Sequence, residues 1–260
     1  MLKIRRITGA PAYGGTHPVW IVANNDQEYL LKFRDDGNEK DISIFNELVA
    51  YKLATYLKNP YLVSSIEQII IDTEDIFLFE DAYRANLIDS DALNYAKASV
   101  GINIAVAKIN KPEKATKFTK VFQKSIANID NYLINRDRYK ENTNVLYCKE
   151  NKQIYVIDFG LSLLEHRIYE KLLDGEYSTH EETLLQCDVT KDERYLFKNM
   201  ARLPIEDDIN TLTDIILKII EGCPTEWGPV KFKKEITALI ASRMLNKELT
   251  KNDNCPFELF

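Results

Sequence analysis

The chain has 260 residues, of which 45% are hydrophobic and 28% charged, proportions typical of a folded globular protein. Acidic residues outnumber lysine and arginine by 40 to 34, and the formal charge of -6 does not favour charge-driven binding to nucleic acid or anionic membranes. No apolar run approaches the ~20 residues that span a bilayer, and no signal-peptide core follows the basic start MLKIRR. We therefore predict a cytoplasmic protein without nucleic-acid or membrane partners.

Strand patterns dominate the start of the chain. Alternating apolar residues predict two strands, PVWIVAN and EYLLKFR, which a polar turn joins into a β-hairpin. The next segment, SIFNELVAYKLATYLKN, has apolar residues at helical spacing, with Asp41 or Ser43 as candidate N-caps. SIEQIIID and IFLFEDAY then predict two further strands. We expect residues 1–82 to form a small sheet-rich N-lobe with one helix.

Helical patterns dominate from about Leu87 onward. NLIDSDALNYAKASVGINIAVAKI and KATKFTKVFQKSIANIDNYLIN predict helices, and one strand pair, NVLYCK and KQIYVIDFG, follows them. Beyond His166 the segments ERYLFKNMARL, DDINTLTDIILKIIEG and KFKKEITALIASRMLN predict further helices. We expect a larger helical C-lobe over residues 83–260, and hence a two-lobe α+β fold.

The clearest chemical pattern is NRDRYKENTNVLY followed by IYVIDFG. In phosphoryl transfer, a loop Asp accepts the proton of the attacking hydroxyl, while the Asn five residues later and the Asp of a DFG triplet hold magnesium. Magnesium prefers such hard oxygen ligands. The spacing therefore predicts Asp137 as catalytic base and Asn142 and Asp158 as Mg²⁺ ligands, although each residue alone also fits an exposed turn. Asn144 is a turn former or a further metal or phosphate contact. Arg138 either neutralises Asp137 or a phosphate or, in the interpretation that we favour, is a solvated loop charge.

The upstream half supplies the other parts of a phosphate-binding site. Gly14 and Gly15 would let the backbone approach a phosphate, and Thr16 would add a hydroxyl. Their segment, GAPAYGGTH, does not match GxGxxG and also fits an ordinary hairpin turn. Lys32 lies in an apolar strand and Glu47 on the following helix, which is the order that kinases use for the lysine on the ATP phosphates and its glutamate partner. We predict an ion pair between Lys32 and Glu47.

These motifs resemble the HipA-like serine/threonine kinases, in particular their short bacterial branch. The family has a GG(S/T) turn, a VKF strand and an NELVA helix, where this chain has GGTHPVW, LLKFR and FNELVAYKLA. Its catalytic loop NxDRxxxNxNLL and strand end WLID are matched by NRDRYKENTNVLY and YVIDFG, and its IPxxW segment by CPTEWG around Trp227. The resemblance covers most of residues 9–230.

The resemblance implies a two-lobe protein-kinase-like fold that binds ATP and magnesium in the cleft and phosphorylates a protein. It agrees with the five roles given above, and it places the adenine-binding hinge at Glu80 and Asp81, whose backbone would contact ATP. Some members autophosphorylate near the glycine-rich turn, and some are toxins with an antitoxin. Thr16 is therefore a candidate phosphosite, and an antitoxin-like protein is a candidate partner.

Two other functions stay open. Small-molecule and phosphoinositide kinases share the DxxxxN and ID elements, because the metal chemistry does not depend on which molecule bears the hydroxyl. Aminoglycoside-type enzymes, however, place His two residues before the catalytic Asp, where this chain has Asn135, and the acidic composition offers no patch for a phosphoinositide membrane. A catalytically silent nucleotide-binding module is the third reading, and the competent side chains at all the catalytic positions disfavour it.

Overall fold

A computed structural model describes residues 1–11, 16–35, 41–135, 137–162, 166–175, 189–191, 193–198 and 208–245. Its N-terminal part contains a closed five-stranded barrel in the order β1-β2-β3-β5-β4. The strands are β1 (Leu2–Gly9), β2 (Val19–Ala23), β3 (Glu28–Lys32), β4 (Ile66–Ile71) and β5 (Gly101–Ala107). β1 and β4 pair in parallel, whereas the other neighbours are antiparallel. The predicted hairpin of β2 and β3 and the predicted strand β4 are confirmed.

Alternation along β3 divides its side chains between two faces of the sheet. Tyr29 and Leu31 are buried inside the barrel. Leu30 and Lys32 lie on the outer face, and the ladder pairs Leu30 with Val106 and Lys32 with Ile104 of β5. Leu30, Ile104 and Val106 belong to the core that the barrel shares with the helices. This outer face therefore carries Lys32 toward the rest of the molecule.

Helix α1 (Ile42–Tyr56) packs into the same core, as its apolar pattern predicts. It is buried on most of its circumference, including the polar Asn46 and Glu47, which is typical of a helix enclosed between two layers. Asp41 precedes the helix in a left-handed conformation with φ 71°, and its side chain makes no capping hydrogen bond. The predicted helix is confirmed. The prediction that Asp41 or Ser43 caps it is wrong, because Asp41 makes no capping bond and Ser43 lies inside the helix.

Two predictions between β4 and β5 are wrong. IFLFEDAY forms helix α2 (Ile76–Arg84) instead of a strand, since reciprocal capping by Asp72 and Asp75 starts a helical turn directly before it. The segment predicted as one helix around Ser99 divides into α3 (Ser90–Ala98) and the strand β5. The expected lobe boundary at residue 82 thus falls inside α2, and the barrel continues to Ala107.

The remaining elements are mainly helical. A three-stranded antiparallel sheet is formed by β6 (Pro112–Lys114), β7 (Val145–Cys148) and β8 (Gln153–Val156), and the last two are the predicted strand pair. The helices are α4 (Lys120–Leu133), α5 (His166–Leu173), α6 (Ile209–Glu221) and α7 (Lys233–Leu245). Residues 193–198 form turns and one bridge to Tyr139 instead of the predicted helix. Within the described ranges, no helix is both long and apolar enough to cross a membrane.

Candidate active site

The loop between α4 and β7 gathers three of the polar side chains that the motif singles out. Asn142 Nδ2 donates hydrogen bonds to both carboxylate oxygens of Asp137, each at 3.0 Å. Asn144 Nδ2 donates to Asp137 Oδ2 at 3.0 Å. The Asp137 carboxylate is thus held by two amides, and the amide oxygen of Asn142 is the atom of that side chain available to a metal.

The surroundings of Asp137 make it a stronger base than a free aspartate. Burial raises the pKa of its carboxyl, and the negative charge of Asp158 raises it further, while the donors from Asn142 and Asn144 act in the opposite direction. A carboxylate with a raised pKa accepts a proton more readily near neutral pH. Asp158 therefore lies close enough to Asp137 for its charge to affect this carboxylate.

A buried ion pair supports this loop from below. Arg138 is fully buried, so its interpretation as a solvated charge is wrong. Its Nε donates to Asp130 Oδ2 on α4 at 2.8 Å, and its Nη1 donates to the Asn144 carbonyl at 2.9 Å. Asp130 also accepts hydrogen bonds from Asn135 Nδ2 at 2.9 Å and from Tyr195 Oη at 2.5 Å. Asp130 therefore connects both ends of the catalytic loop to the helical core.

The predicted ion pair between Lys32 and Glu47 is present. Lys32 Nζ lies 3.1 Å from Glu47 Oε2 and 2.9 Å from Asp158 Oδ1. Glu47 is 2% exposed, and its Oε2 also accepts the backbone N–H of Phe159 at 2.6 Å. One carboxylate on α1 thus contacts both the lysine of β3 and the DFG segment.

The charges of this cluster stabilise one another. The Lys32 ammonium lowers the pKa of Asp158. Burial acts to lower the pKa of Lys32, but the carboxylates of Asp158 and Glu47 outweigh it and raise that pKa. Burial raises the pKa of Glu47, and Lys32 counteracts the shift. At neutral pH the cluster presents a fixed cation beside the Asp158 anion, as the binding of phosphate and metal requires.

The DFG segment fits closely against the start of α1. Asp158 itself has a left-handed backbone with φ 61°, a conformation that costs free energy and is concentrated at functional sites. Asn46 Nδ2 donates to the Gly160 carbonyl at 2.8 Å. A Cβ at Gly160 would come within 2.7 Å of Ser43 Oγ, so a larger residue would displace the Ser43 hydroxyl.

Comparison with known proteins shows the family of the chain. A model of the HipA-like kinase family matches residues 4–258. The chain belongs to the HipA-like kinase family. It is therefore a kinase, and family membership implies the use of ATP. A comparison with the curated proteins finds no match.

A solved structure supports a kinase fold for this HipA-like kinase. The crystal structure of the Helicobacter pylori proinflammatory kinase CtkA has a TM-score of 0.53 at 13% identity, over 92% of this chain and 94% of that chain. The Golgi casein kinase with Mn and ADP bound has a TM-score of 0.47 at 11% identity, over 94% of this chain and 73% of that chain. The similarity to CtkA supports the mixed α+β kinase-like fold.

Two expected nucleotide contacts of this HipA-like kinase do not follow a strand. Glu80 and Asp81 lie within α2, where Glu80 Oε1 is 3.1 Å from Lys97 Nζ and Asp81 Oδ1 is 2.9 Å from Arg84 Nη1. The last strand of the barrel in chain order is β5, and the chain leaves the barrel after Ala107. The strand prediction that placed the hinge at Glu80 and Asp81 is wrong, because α2 replaces that strand.

The glycine-rich turn is only partly described. Gly14 and Gly15 lie outside the described residues. Thr16 is in a turn and partly exposed. The next residue, His17, has a φ of 46°, and its Nδ1 lies 2.7 Å from Asp89 Oδ2, at the start of α3. Thr16 is therefore anchored next to the barrel, and its part in ATP binding or as a phosphosite stays a prediction.

Sequence reasoning missed the apolar residues that share the sheet face with Lys32. Trp20 pairs with Leu30 across β2 and β3, and Leu30 pairs with Val106 across β3 and β5. Directly paired residues of adjacent strands lie on the same face. Lys108 Nζ lies 5.4 Å from the centre of the Trp20 ring. These residues were missed because the segment that forms β5 was predicted as part of a helix.

Proposed function

We propose that this HipA-like kinase is an ATP- and Mg²⁺-dependent protein serine/threonine kinase of the cytoplasm. One observation carries the proposal: Lys32 contacts both Glu47 and Asp158, and the charge of Asp158 acts on the Asp137 carboxylate that Asn142 holds. These are the cation, metal ligand and base that phosphoryl transfer requires.

ATP would bind between an N-lobe, made of the barrel with α1 to α3, and the helical C-lobe. The sequence predicted this boundary at residue 82; we propose a boundary after Ala107, because β5 is part of the barrel. The adenine would lie against the outer face that carries Trp20, Leu30 and Val106. The hinge would be the segment 108–110 that follows β5, and its backbone would take the role that the sequence assigned to Glu80 and Asp81.

In the transfer step, one proton and one phosphoryl group are transferred. The acceptor hydroxyl gives its proton to the Asp137 carboxylate while its oxygen forms a bond to the γ-phosphorus of ATP, and the bond from that phosphorus to the leaving ADP oxygen breaks. Lys32 neutralises charge on the phosphates, and Glu47 fixes the direction of the ammonium. Little covalent help is needed, so the main contribution of these groups is position and charge.

The side chains present fit a hard divalent cation. Asn142 offers its amide oxygen because its nitrogen bonds to Asp137, and the Asp158 side chain is 45% exposed and so open to a ligand. Both donate oxygen, as Mg²⁺ prefers. Bound there, the ion would neutralise and orient the ATP phosphates.

The first test is transfer of radiolabelled γ-phosphate with Mg²⁺, with and without cell lysate, by the wild type, Asp137→Ala and the exposed control Asp174→Ala. Label on this protein or on a lysate polypeptide, present in the control and absent in Asp137→Ala, is expected. ATP turnover without label on any protein would point to a small-molecule or lipid acceptor. Nucleotide binding without turnover would indicate a silent module.

The assigned roles also predict opposite behaviour for two variants in a melting experiment. Asp158→Ala should lose the Mg²⁺-dependent stabilisation by ATP, because the metal ligand is gone. Asp137→Ala should keep that stabilisation and lose at least about a hundredfold in transfer rate, as expected for removal of a general base. Full stabilisation of Asp158→Ala by ATP and Mg²⁺ would show that the metal assignment is wrong.

A further inference from the structure

One short segment of the C-terminal region forms hydrogen bonds near both ends of helix α1, which carries Glu47. This segment, Gly222–Gly228, connects α6 to the turn before α7, and we name it the bracket. At the far end of α1, Lys52 Nζ donates to the Gly222 carbonyl at 3.1 Å. At the near end, the Gly228 N–H donates to Asp41 Oδ2 at 3.2 Å. The bracket thus spans the helix from its first turn to its third.

The bracket is also tied to the barrel. Gln68 Nε2 of β4 donates to the Gly222 carbonyl at 3.0 Å. Trp227 Nε1 donates to the Ile102 carbonyl of β5 at 3.1 Å, and the Trp227 side chain is fully buried. Trp227 belongs to the same core as the apolar side chains of α1. The bracket therefore fixes α1 relative to two strands of the barrel.

Asp41 is used for this connection instead of for helix capping. An aspartate directly before a helix commonly accepts hydrogen bonds from the first turn, but Asp41 makes none and has a φ of 71°. Its Oδ1 instead accepts from Arg34 Nε at 2.8 Å, while Oδ2 accepts from Gly228. A Cβ at Gly228 would meet the Tyr169 hydroxyl, so a side chain at this position would displace the Tyr169 ring. The carboxylate thus joins the end of β3 to the bracket at the start of α1.

We propose that the bracket sets the position of α1 at which Glu47 meets Lys32, and that Trp227 and Asp41 are positioning residues of the kinase. The proposal rests on the function above in one respect, namely that the Lys32–Glu47 pair serves ATP. Glu47 is almost fully buried, and a displaced helix would leave its charge without a partner, which is costly. Small shifts of α1 should therefore alter catalysis by weakening this pair.

The test uses Trp227→Phe, which keeps an aromatic ring in the core and removes the indole N–H. Two quantities are measured: amide hydrogen exchange of the α1 peptide, and kcat/KM for ATP in the wild type, Trp227→Phe, Glu47→Gln and the double variant. We expect faster exchange in α1 and about tenfold lower kcat/KM in Trp227→Phe, as for residues coupled within one network. In the Glu47→Gln background the same substitution should change kcat/KM by less than about twofold.

A second variant, Asp41→Asn, is compared with the control Asp208→Asn. Asp208 also directly precedes a helix, but that helix is α6. Only Asp41→Asn should accelerate exchange in α1. The proposal would be overturned if neither Trp227→Phe nor Asp41→Asn changed the hydrogen exchange of α1. It would also be overturned if Trp227→Phe lowered kcat/KM as much in the Glu47→Gln background as in the wild type. If the wild type transferred no phosphate, the proposed function would fail, while the exchange data would still decide whether the bracket positions α1.

Discussion

The side-chain amides of Asn142 and Asn144 have a role at Asp137 that the spacing of the motif did not predict. The motif predicted Asn142 as a metal ligand and left Asn144 undecided, yet both amide nitrogens bond to the Asp137 carboxylate. These donors fix the direction of the carboxylate and oppose the rise in its pKa that burial and Asp158 cause. The balance between these influences sets the pKa of Asp137, and hence the lowest pH at which its carboxylate is ionised and able to accept a proton.

Asn144→Gly tests this balance. Asn144 has a φ of 47°, and glycine keeps that backbone while removing the amide. Loss of the donor should raise the pKa of Asp137 further, so the acidic limb of the kcat profile should move to higher pH. The maximum kcat should fall about tenfold, because the carboxylate loses one of the two donors that orient it toward the acceptor hydroxyl.

The measurement is kcat against pH at saturating ATP. Asn151→Gly, in the exposed turn of the β7–β8 hairpin, is the matched control and should keep the wild-type profile. A lower kcat with an unmoved acidic limb would mean that Asn144 orients the loop without affecting the Asp137 charge.

At the scale of elements, the ion pair of Arg138 with Asp130 joins the catalytic loop to α4. Arg138 and Asp130 are both fully buried, and Arg138 also reaches the ring of Phe159 at 5.4 Å. Arg138→Met would leave the Asp130 charge buried without its partner. The free energy of unfolding should fall by about 3–5 kcal/mol, measured by urea denaturation.

The double variant Asp130→Asn with Arg138→Met should lose less stability than Arg138→Met alone, because no charge is left buried. Lys149→Met, which breaks an exposed pair with Glu113, is the control and should cost less than about 1 kcal/mol. Equal losses in the Arg138 and Lys149 variants would show that the buried pair contributes no more than an exposed one.

The elements that sequence patterns predicted are those with local signals. The β2–β3 hairpin, α1 and the β7–β8 hairpin each combine one clear periodicity with a turn or stop, and the catalytic motif is local as well. The segments IFLFEDAY and GINIAVA are short apolar runs, which periodicity alone cannot assign. β5 is a strand because it pairs with β3 and β4, and the Asp130–Arg138 pair likewise depends on tertiary packing. The bracket contacts join residues that are distant in sequence, so no motif showed them.

The whole molecule has one core that crosses the proposed lobe boundary. Ile104 and Val106 of the barrel and the buried residues of α1 share a single cluster with α4, α6 and α7. A second cluster fills the barrel with α2 and α3. If the helical region unfolded alone, it would expose the buried circumference of α1 and break the bracket contacts. We therefore expect the two proposed lobes to unfold together.

Calorimetry tests this cooperativity. A single heat-absorption peak is expected, with a calorimetric enthalpy equal to the van't Hoff enthalpy. ADP with Mg²⁺ at about a hundred times its Kd should add about 2.7 kcal/mol and move the whole peak upward by about 5–10 °C. Asp158→Ala should show the single peak without the shift, because its fold is intact and its metal ligand is gone. Two peaks, or a shift of only part of one peak, would mean that the bracket and the shared core do not couple the lobes.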